Sequence, residues 1–286
     1  MKRHSILNPL NEEDTASITS ALSRLTSLQT LSMNSIPLDA ALAPVLQQLT
    51  GLQSLTLRGD VLDAPGVDAV ATTLSQLTGL TSLDLSGNDL GTQGIAALAP
   101  SLSQLSGLRS LRLVKCALEA PDAPALAAVI SQMPGLHSLD LGRNDLGEEG
   151  AGALAPALVV LTAMQTLDLC NNFVGDTGIM ALSPALAAMT ALQVLELRHN
   201  AMWGPGAAAL ATALVTMTAL QYLDLGHNPI GPQGISELAP ALALLTGLTE
   251  LRLPHCDIDL DGGVGELSRM LARLTALVTL DTVLPN

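Results

Sequence analysis

The stretch Leu80-Thr-Ser-Leu83-Asp-Leu85-Ser-Gly-Asn88-Asp-Leu90 decides how the whole chain is read. Its leucines stand at relative positions 1, 4, 6 and 11, with an asparagine at 9. In a strand, residues two apart share a face, so Leu83 and Leu85 point one way and Ser82, Asp84 and Ser86 the other. Asn88 falls where the chain must leave the strand, and its amide can satisfy backbone groups in such a turn. One stretch of this kind is a weak signal. The chain repeats it.

The pattern starts at Leu28, Leu52, Leu80, Leu108, Leu136, Met164, Leu192, Leu220, Leu248 and Leu277. The spacings are 24, then 28 seven times, then 29, far too regular for chance. Position 9 is Asn88, Asn144, Asn172, Asn200 and Asn228, with Asp60 once and a cysteine at Cys116 and Cys256. A period in this range marks a stacked repeat architecture. The second half of each unit reads as a helix: Leu154, Leu158 and Leu161 fall at i, i+4 and i+7 and form one apolar stripe. Gly94, Gly150, Gly178, Gly206 and Gly234 precede these stripes and permit a tight turn into the helix. Pro100, Pro156, Pro184 and Pro240 recur in mid-stripe, where proline costs about 3 kcal/mol inside a helix. The regular helix is therefore predicted to start near each proline, after a loose or 3₁₀-like turn. A strand and one helix cannot bury such a stripe alone, so the units must stack.

The pattern L-x-x-L-x-L-x-x-N/C-x-L resembles the leucine-rich-repeat family over about nine-tenths of the chain. The 28-residue period and helical second halves are similar to its ribonuclease-inhibitor-like intracellular subfamily. That resemblance implies an α/β solenoid of about ten repeats: a curved horseshoe with a parallel concave β-sheet and convex helices. It also implies that Cys116 and Cys256 are buried structural residues, because those repeats accept cysteine at position 9. Residues 1–27 then form an N-terminal segment with a capping helix, in which Ile18, Leu22 and Leu25 share a helical register. Residues 28–286 form the repeat domain, closed by a C-terminal cap around Gly265 to Leu274 with Glu266, Arg269 and Arg273.

Composition restricts the function. Only three of 286 residues are aromatic, so alanine and leucine must carry the core. The net charge is −14, with Lys2 and Lys115 as the two lysines, which disfavours nucleic acid and anionic membrane surfaces as partners. No apolar run is clean and long enough to span a bilayer, and the basic N-terminus lacks the apolar segment of a signal peptide. Three widely spaced cysteines fit neither a disulfide framework nor a zinc site. The chain reads as cytoplasmic.

Stacking turns each repeat position into a ladder. Position 5, central on the concave face, reads Asp84, Arg112, Asp140, Asp168, Glu196, Asp224 and Arg252 from the third repeat to the ninth. Four consecutive carboxylates, Asp140 to Asp224, at ~5 Å intervals raise one another's pKa and attract a cationic partner. The plain alternative is that Asp is simply common there in this family. Phe173, Trp203 and Tyr222 fall in repeats six to eight, beside Glu196, Arg198, His199 and Asp224, and suggest a contact patch. Asp140, Asp168, Glu196, Arg198, Trp203, Tyr222, Asp224 and Arg252 are thus the candidate partner-binding residues. Packing against neighbouring loops is the alternative for the aromatics.

Metals find less support. Position 8 carries His199, His227 and His255, which read as exposed loop histidines rather than ligands. Asp257, Asp259 and Asp261 with Gly262 copy the first half of an EF-hand loop, but Ser268 stands where the bidentate glutamate belongs. No metal and no cofactor is expected. Catalytic motifs are absent: there is no Gly-x-Ser-x-Gly, no phosphate loop and no His-Glu-x-x-His. The outer helical face changes from Gln47-Gln48 and Ser103-Gln104 to Val159-Val160, Ala187-Ala188, Val215-Thr216 and Ala243-Leu244. That mild apolar band in repeats five to eight suggests self-association or a partner surface. The leading expectation is a non-enzymatic scaffold that binds a protein with a basic surface. A regulator of a small GTPase, similar to leucine-rich-repeat activators of the Ran GTPase, and an effector or ubiquitin-ligase substrate receptor are the alternatives.

Overall fold

The structure, a computed structural model, describes residues 12–34, 42–59, 62, 64–258 and 263–282. Ten strands form one parallel sheet in sequence order: β1 Thr30–Asn34, β2 Ser54–Arg58, β3 Ser82–Asp84, β4 Ser110–Arg112, β5 Ser138–Asp140, β6 Thr166–Asp168, β7 Val194–Glu196, β8 Tyr222–Asp224, β9 Glu250–Arg252 and β10 Thr279–Asp281. The register follows the repeat spacing residue for residue, from Leu31 beside Leu55 to Leu251 beside Leu280. Helices alternate with the strands: α1 Glu12–Leu22, α2 Ala43–Gln48, α3 Ala64–Leu74, α4 Gly91–Leu102, α5 Ala123–Ile130, α6 Gly147–Leu158, α7 Gly175–Ala188, α8 Gly204–Leu214, α9 Gly231–Leu242 and α10 Gly263–Leu271. This is the leucine-rich-repeat solenoid expected from the sequence.

The core is one continuous layer between sheet and helices. The paired strand leucines, Leu83/Leu85 through Leu251/Leu253, are almost completely buried, and so are the helix-stripe leucines. At about 1.5–3 kcal/mol per buried leucine, this layer is the main cohesive force. Leu25, assigned to the N-terminal cap, lies past the end of α1 and is exposed.

Two expectations about the helices are corrected. The helices do not begin at proline; α4, α6, α7 and α9 run as α-helix through Pro100, Pro156, Pro184 and Pro240. Each proline sits on the outer face, and the carbonyl it leaves without a partner belongs to Ala96, Gly152, Met180 or Ser236, all exposed or half-buried. Water can take the lost bond, so the cost falls well below that of a buried interruption.

The glycines also divide their roles differently. The chain turns into these helices at Gly91, Gly147, Gly175 and Gly231, with φ from 44° to 68°. Gly178 and its counterparts lie within the first turn, where one helix meets the next. A Cβ on Gly178 would come within 2.6 Å of Val174 Cγ1 and 3.0 Å of Ala151 Cβ. Gly178→Ala is therefore expected to cost about 1–3 kcal/mol by overpacking. Gly152→Ala, in open space on α6, should stabilise by about 0.5–1 kcal/mol. Urea unfolding of the two variants checks the contrast.

Asparagine at position 9 fastens one repeat to the next. Asn200, fully buried, donates through Nδ2 to Leu197 O at 3.0 Å and to Leu169 O, one repeat earlier, at 2.8 Å. Its Oδ1 accepts from the backbone N–H of Asn172 at 3.1 Å and Val174 at 3.3 Å. Asn144 and Asn228 repeat this scheme on the turns before them. Cys116 and Cys256 are buried and reproduce part of it, their Sγ lying 3.3 and 3.2 Å from Leu85 O and Leu225 O. Burial pushes both thiols up to about 12, so they are inert structural groups.

Candidate functional site

The sheet face carries the position-5 ladder, but its aspartates are not free side chains. Each accepts a hydrogen bond from the backbone N–H two residues on: Ser86 to Asp84 at 3.0 Å, Gly142 to Asp140 at 3.2 Å, Cys170 to Asp168 and Gly226 to Asp224, both at 2.8 Å. The aspartate thereby closes the turn that ends the strand. Asp84, Asp140 and Asp224 are buried, whereas Asp168 and Glu196 are half-buried. Glu196, one methylene longer, makes no such bond among the described residues.

Charge pairing then divides the ladder in two. Arg58 and Arg112 flank Asp84: Arg58 binds it directly, and Arg112 Nε lies 3.6 Å away. Arg112 also holds Asp140, with Nη2 at 2.8 Å from Oδ2. From Asp168 to Asp224 no ion pair is formed among the described residues. Arg252 does not rescue this end: its guanidinium is held by Glu250 at 2.6 Å and lies over the Tyr222 ring, 5.5 Å from the centroid.

A groove of about 330 Å³ opens over this unpaired run. It brings together Asp140, Asp168, Glu196, Arg198, Tyr222, Asp224 and Arg252, along with Arg112, Arg143 and Cys170. Trp203 is not part of the lining. Its ring is exposed on the rim at the start of α8, where Asp176 of the preceding repeat accepts from the Trp203 and Gly206 backbone N–H groups. Phe173 is also exposed. Arg112 and Arg252 come from position 5, and Arg143 and Arg198 from positions 8 and 7, so the groove has an acidic floor with a basic rim. Arg198 is an expected member of this set, and Arg143 and Cys170 join it from repeat positions 8 and 7, where register along the stack is the signal that places them.

The electrostatics follow from that geometry. Burial, then Asp168 and Asp224, push the Glu196 carboxyl up to about 7. Burial and Asp168 also raise Asp140, against the opposing Gly142 N–H and Arg112. Burial and Asp168 push the Cys170 thiol up to about 12. Asp168, Cys170 and Glu196 offer donor atoms within 4.8 Å of one another. A cation held there would have to displace the Cys170 thiol proton.

The three histidines form a stack. His199 and His227 are 4.0 Å apart at 17°, and His227 and His255 are 4.5 Å apart at 36°. All three backbones are left-handed, with φ from 54° to 56°, which aims successive rings the same way. Faces meet, so the ring nitrogens do not converge on one ion. Burial lowers the pKa of His199 and His227, and Arg198 and the neighbouring rings add to it. The neutral stack is thus stabilising above the ordinary histidine pKa and is lost as pH falls through the folded value. In an NMR titration, His227 should move back up toward the ordinary value in His199→Asn. Of the half-EF-hand, Asp257 is exposed and Ile258 is buried in its repeat position, while Asp259 and Asp261 lie outside the described residues.

Four stretches, residues 76–99, 133–155, 161–183 and 216–239, match the family described as Leucine Rich repeat. No curated protein sequence matches the chain. Among solved structures the fold is similar to an internalin from Listeria monocytogenes, with a TM-score of 0.63 and 24 % identity over 93 % of this chain. The similarity covers 65 % of the internalin, so this chain spans less than two thirds of that protein's length. No helix among the described residues is long and apolar enough to cross a membrane. By its four matched stretches and its parallel strands stacked in sequence order, the chain has the leucine-rich-repeat solenoid fold.

Proposed function

We propose that the chain is a non-enzymatic interaction scaffold whose sheet face, in repeats six to eight, receives a cationic side chain of a protein partner. The observation that carries this reading is the unpaired floor, Asp168, Glu196 and Asp224, beneath a groove that also offers the Tyr222 ring. A lysine or arginine entering it gains charge-assisted hydrogen bonds and a ring to lie on. Arg143 and Arg198 on the walls repel a uniformly basic surface and can donate to carbonyls or carboxylates beside the inserted cation. The partner we propose therefore carries a basic residue flanked by acceptors, narrower than a basic surface as a whole.

Residues 1–27 as a cap and 28–286 as the repeat domain, the ribonuclease-inhibitor-like subfamily, and a cytoplasmic location remain parts of this proposal. The three unpaired cysteines support the location. Val159, Val160, Val215 and Leu244 are exposed on the helix side and support self-association there as a second surface. Concentration-dependent sedimentation that stops in Val160→Lys/Leu244→Lys would distinguish it from the sheet face.

Affinity capture tests the main reading. The comparison is wild type against Asp168→Asn/Glu196→Gln/Asp224→Asn, which keeps the oxygens that close the strand turns. A partner held by wild type, released by salt and absent from the variant is the expected result. Equal capture by both proteins would refute the groove.

A further inference from the structure

A second hollow lies on the same face, toward the N-terminal end. It measures about 340 Å³ and is lined by Arg58, Gly59, Ser86, Gly87, Arg112, Val114, Lys115 and Arg143. The chain has twelve lysines and arginines in all, against 26 acids, and four of the twelve meet here. Among the described residues no carboxylate lines this hollow.

Its shape comes from one repeat position. Position 8 is left-handed in repeats two to nine, with side chains at Lys115, Arg143, Asn171, His199, His227 and His255. In the second and third repeats it is Gly59 and Gly87, with φ of 89° and 77°. Two adjacent rungs therefore carry no side chain, and a Cβ on Gly87 would already touch Gly59 at 3.4 Å. Lys115 and Arg143 border the resulting gap. Both are exposed and form no ion pair among the described residues. Arg58 and Arg112 are fixed from behind by Asp84 and Asp140, through Nε and Nη2, which leaves each Nη1 without a protein partner among the described residues. On the far side of Lys115 and Arg143, a separate hollow carries Asp89 and Asp145.

We infer that this hollow is an anion subsite, built for a carboxylate or phosphoryl group. Held guanidiniums supply directed donors, Lys115 and Arg143 supply mobile charge, and the glycine floor lets the anion approach the backbone closely. A hollow of this size admits one or two acidic groups and no extended polyanion. The subsite shares Arg112, Val114 and Arg143 with the acidic groove, so the two are adjacent. It goes beyond the cation reading and stands without it. Where both hold, the face as a whole fits a segment with an acidic and a basic residue close together.

The test titrates the full chain with inorganic phosphate and, separately, with acetyl-diglutamate, and follows backbone amides by NMR. The variant is Lys115→Asn/Arg143→Asn, which places at both positions the residue that Asn171 already supplies with φ of 53°. Unchanged thermal unfolding shows that the variant is folded. Saturable shifts at Gly59, Gly87 and Val114, with affinity reduced about tenfold in the variant, support the subsite. Tighter binding of phosphate assigns a phosphoryl ligand, and tighter binding of diglutamate an acidic peptide. No saturable shift from either probe, or equal affinity in the variant, overturns it. Because both probes are anions, failure here leaves the cation groove to be judged by its own experiment.

Discussion

Asn200→Leu is expected to remove about 3–5 kcal/mol of stability, although leucine is apolar and close in size to the residue it replaces. The substitution strands two buried carbonyls, of Leu169 and Leu197, and two buried N–H groups, of Asn172 and Val174. Each orphaned group costs about 1–3 kcal/mol, and part of that is recovered by local rearrangement. Asn200→Cys should cost less. At Cys116 and Cys256 the thiol keeps the contact to the preceding repeat, and the Leu90 and Ile230 N–H groups turn instead to Asn88 O and Asn228 O. The expected stability order at this position is Asn, then Cys, then Leu. Because contacts run between neighbouring repeats, Asn200→Leu should also split unfolding into two phases. Denaturant unfolding monitored by circular dichroism and by Trp203 fluorescence checks both statements.

The second large effect concerns Glu196. Its carboxyl is held up to about 7, above the usual 4.5, so the fold keeps a proton that the unfolded chain has released. Between those two values stability falls as pH rises. Glu196→Gln removes that slope and should stabilise the protein at pH 8 on the order of 1–2 kcal/mol after screening by solvent. A cation seated on the floor favours the carboxylate and expels the proton. Cation affinity should therefore rise with pH through the neutral range, by about tenfold from pH 6 to pH 8.

The fold is almost wholly legible because stacking gives the strand leucines of successive repeats one shared purpose and the five position-9 asparagines another. Leu83, Leu85 and Asn88 needed only their spacing. The prolines misled because mid-helix proline is costly only where the freed carbonyl is buried, and Pro156 and its equivalents face water. The candidate site was legible as a ladder but not as chemistry. Asp84, Asp140 and Asp224 looked alike as charges facing a partner. In the fold they close strand ends, and an aspartate followed two residues later by a backbone donor carries that signal. What separates Glu196 from them is a single methylene and the lack of an arginine on either neighbouring strand. Trp203 was grouped with Tyr222 by repeat number, yet the turn before α8 leaves it on the rim. The basic hollow is not legible in the sequence, because its signature is an absence of side chains at Gly59 and Gly87.

On the proposed function, the floor of repeats six to eight binds a cationic side chain. Isothermal titration of the full chain with acetyl-Gly-Arg-Gly amide, at pH 6 and pH 8 and low salt, tests it most directly. The citrulline peptide serves as the neutral control. The expected result is saturable binding of the arginine peptide alone, about tenfold tighter at pH 8, with the pH dependence abolished in Glu196→Gln. Equal affinity for both peptides, or an arginine affinity independent of pH in the wild type, would contradict it.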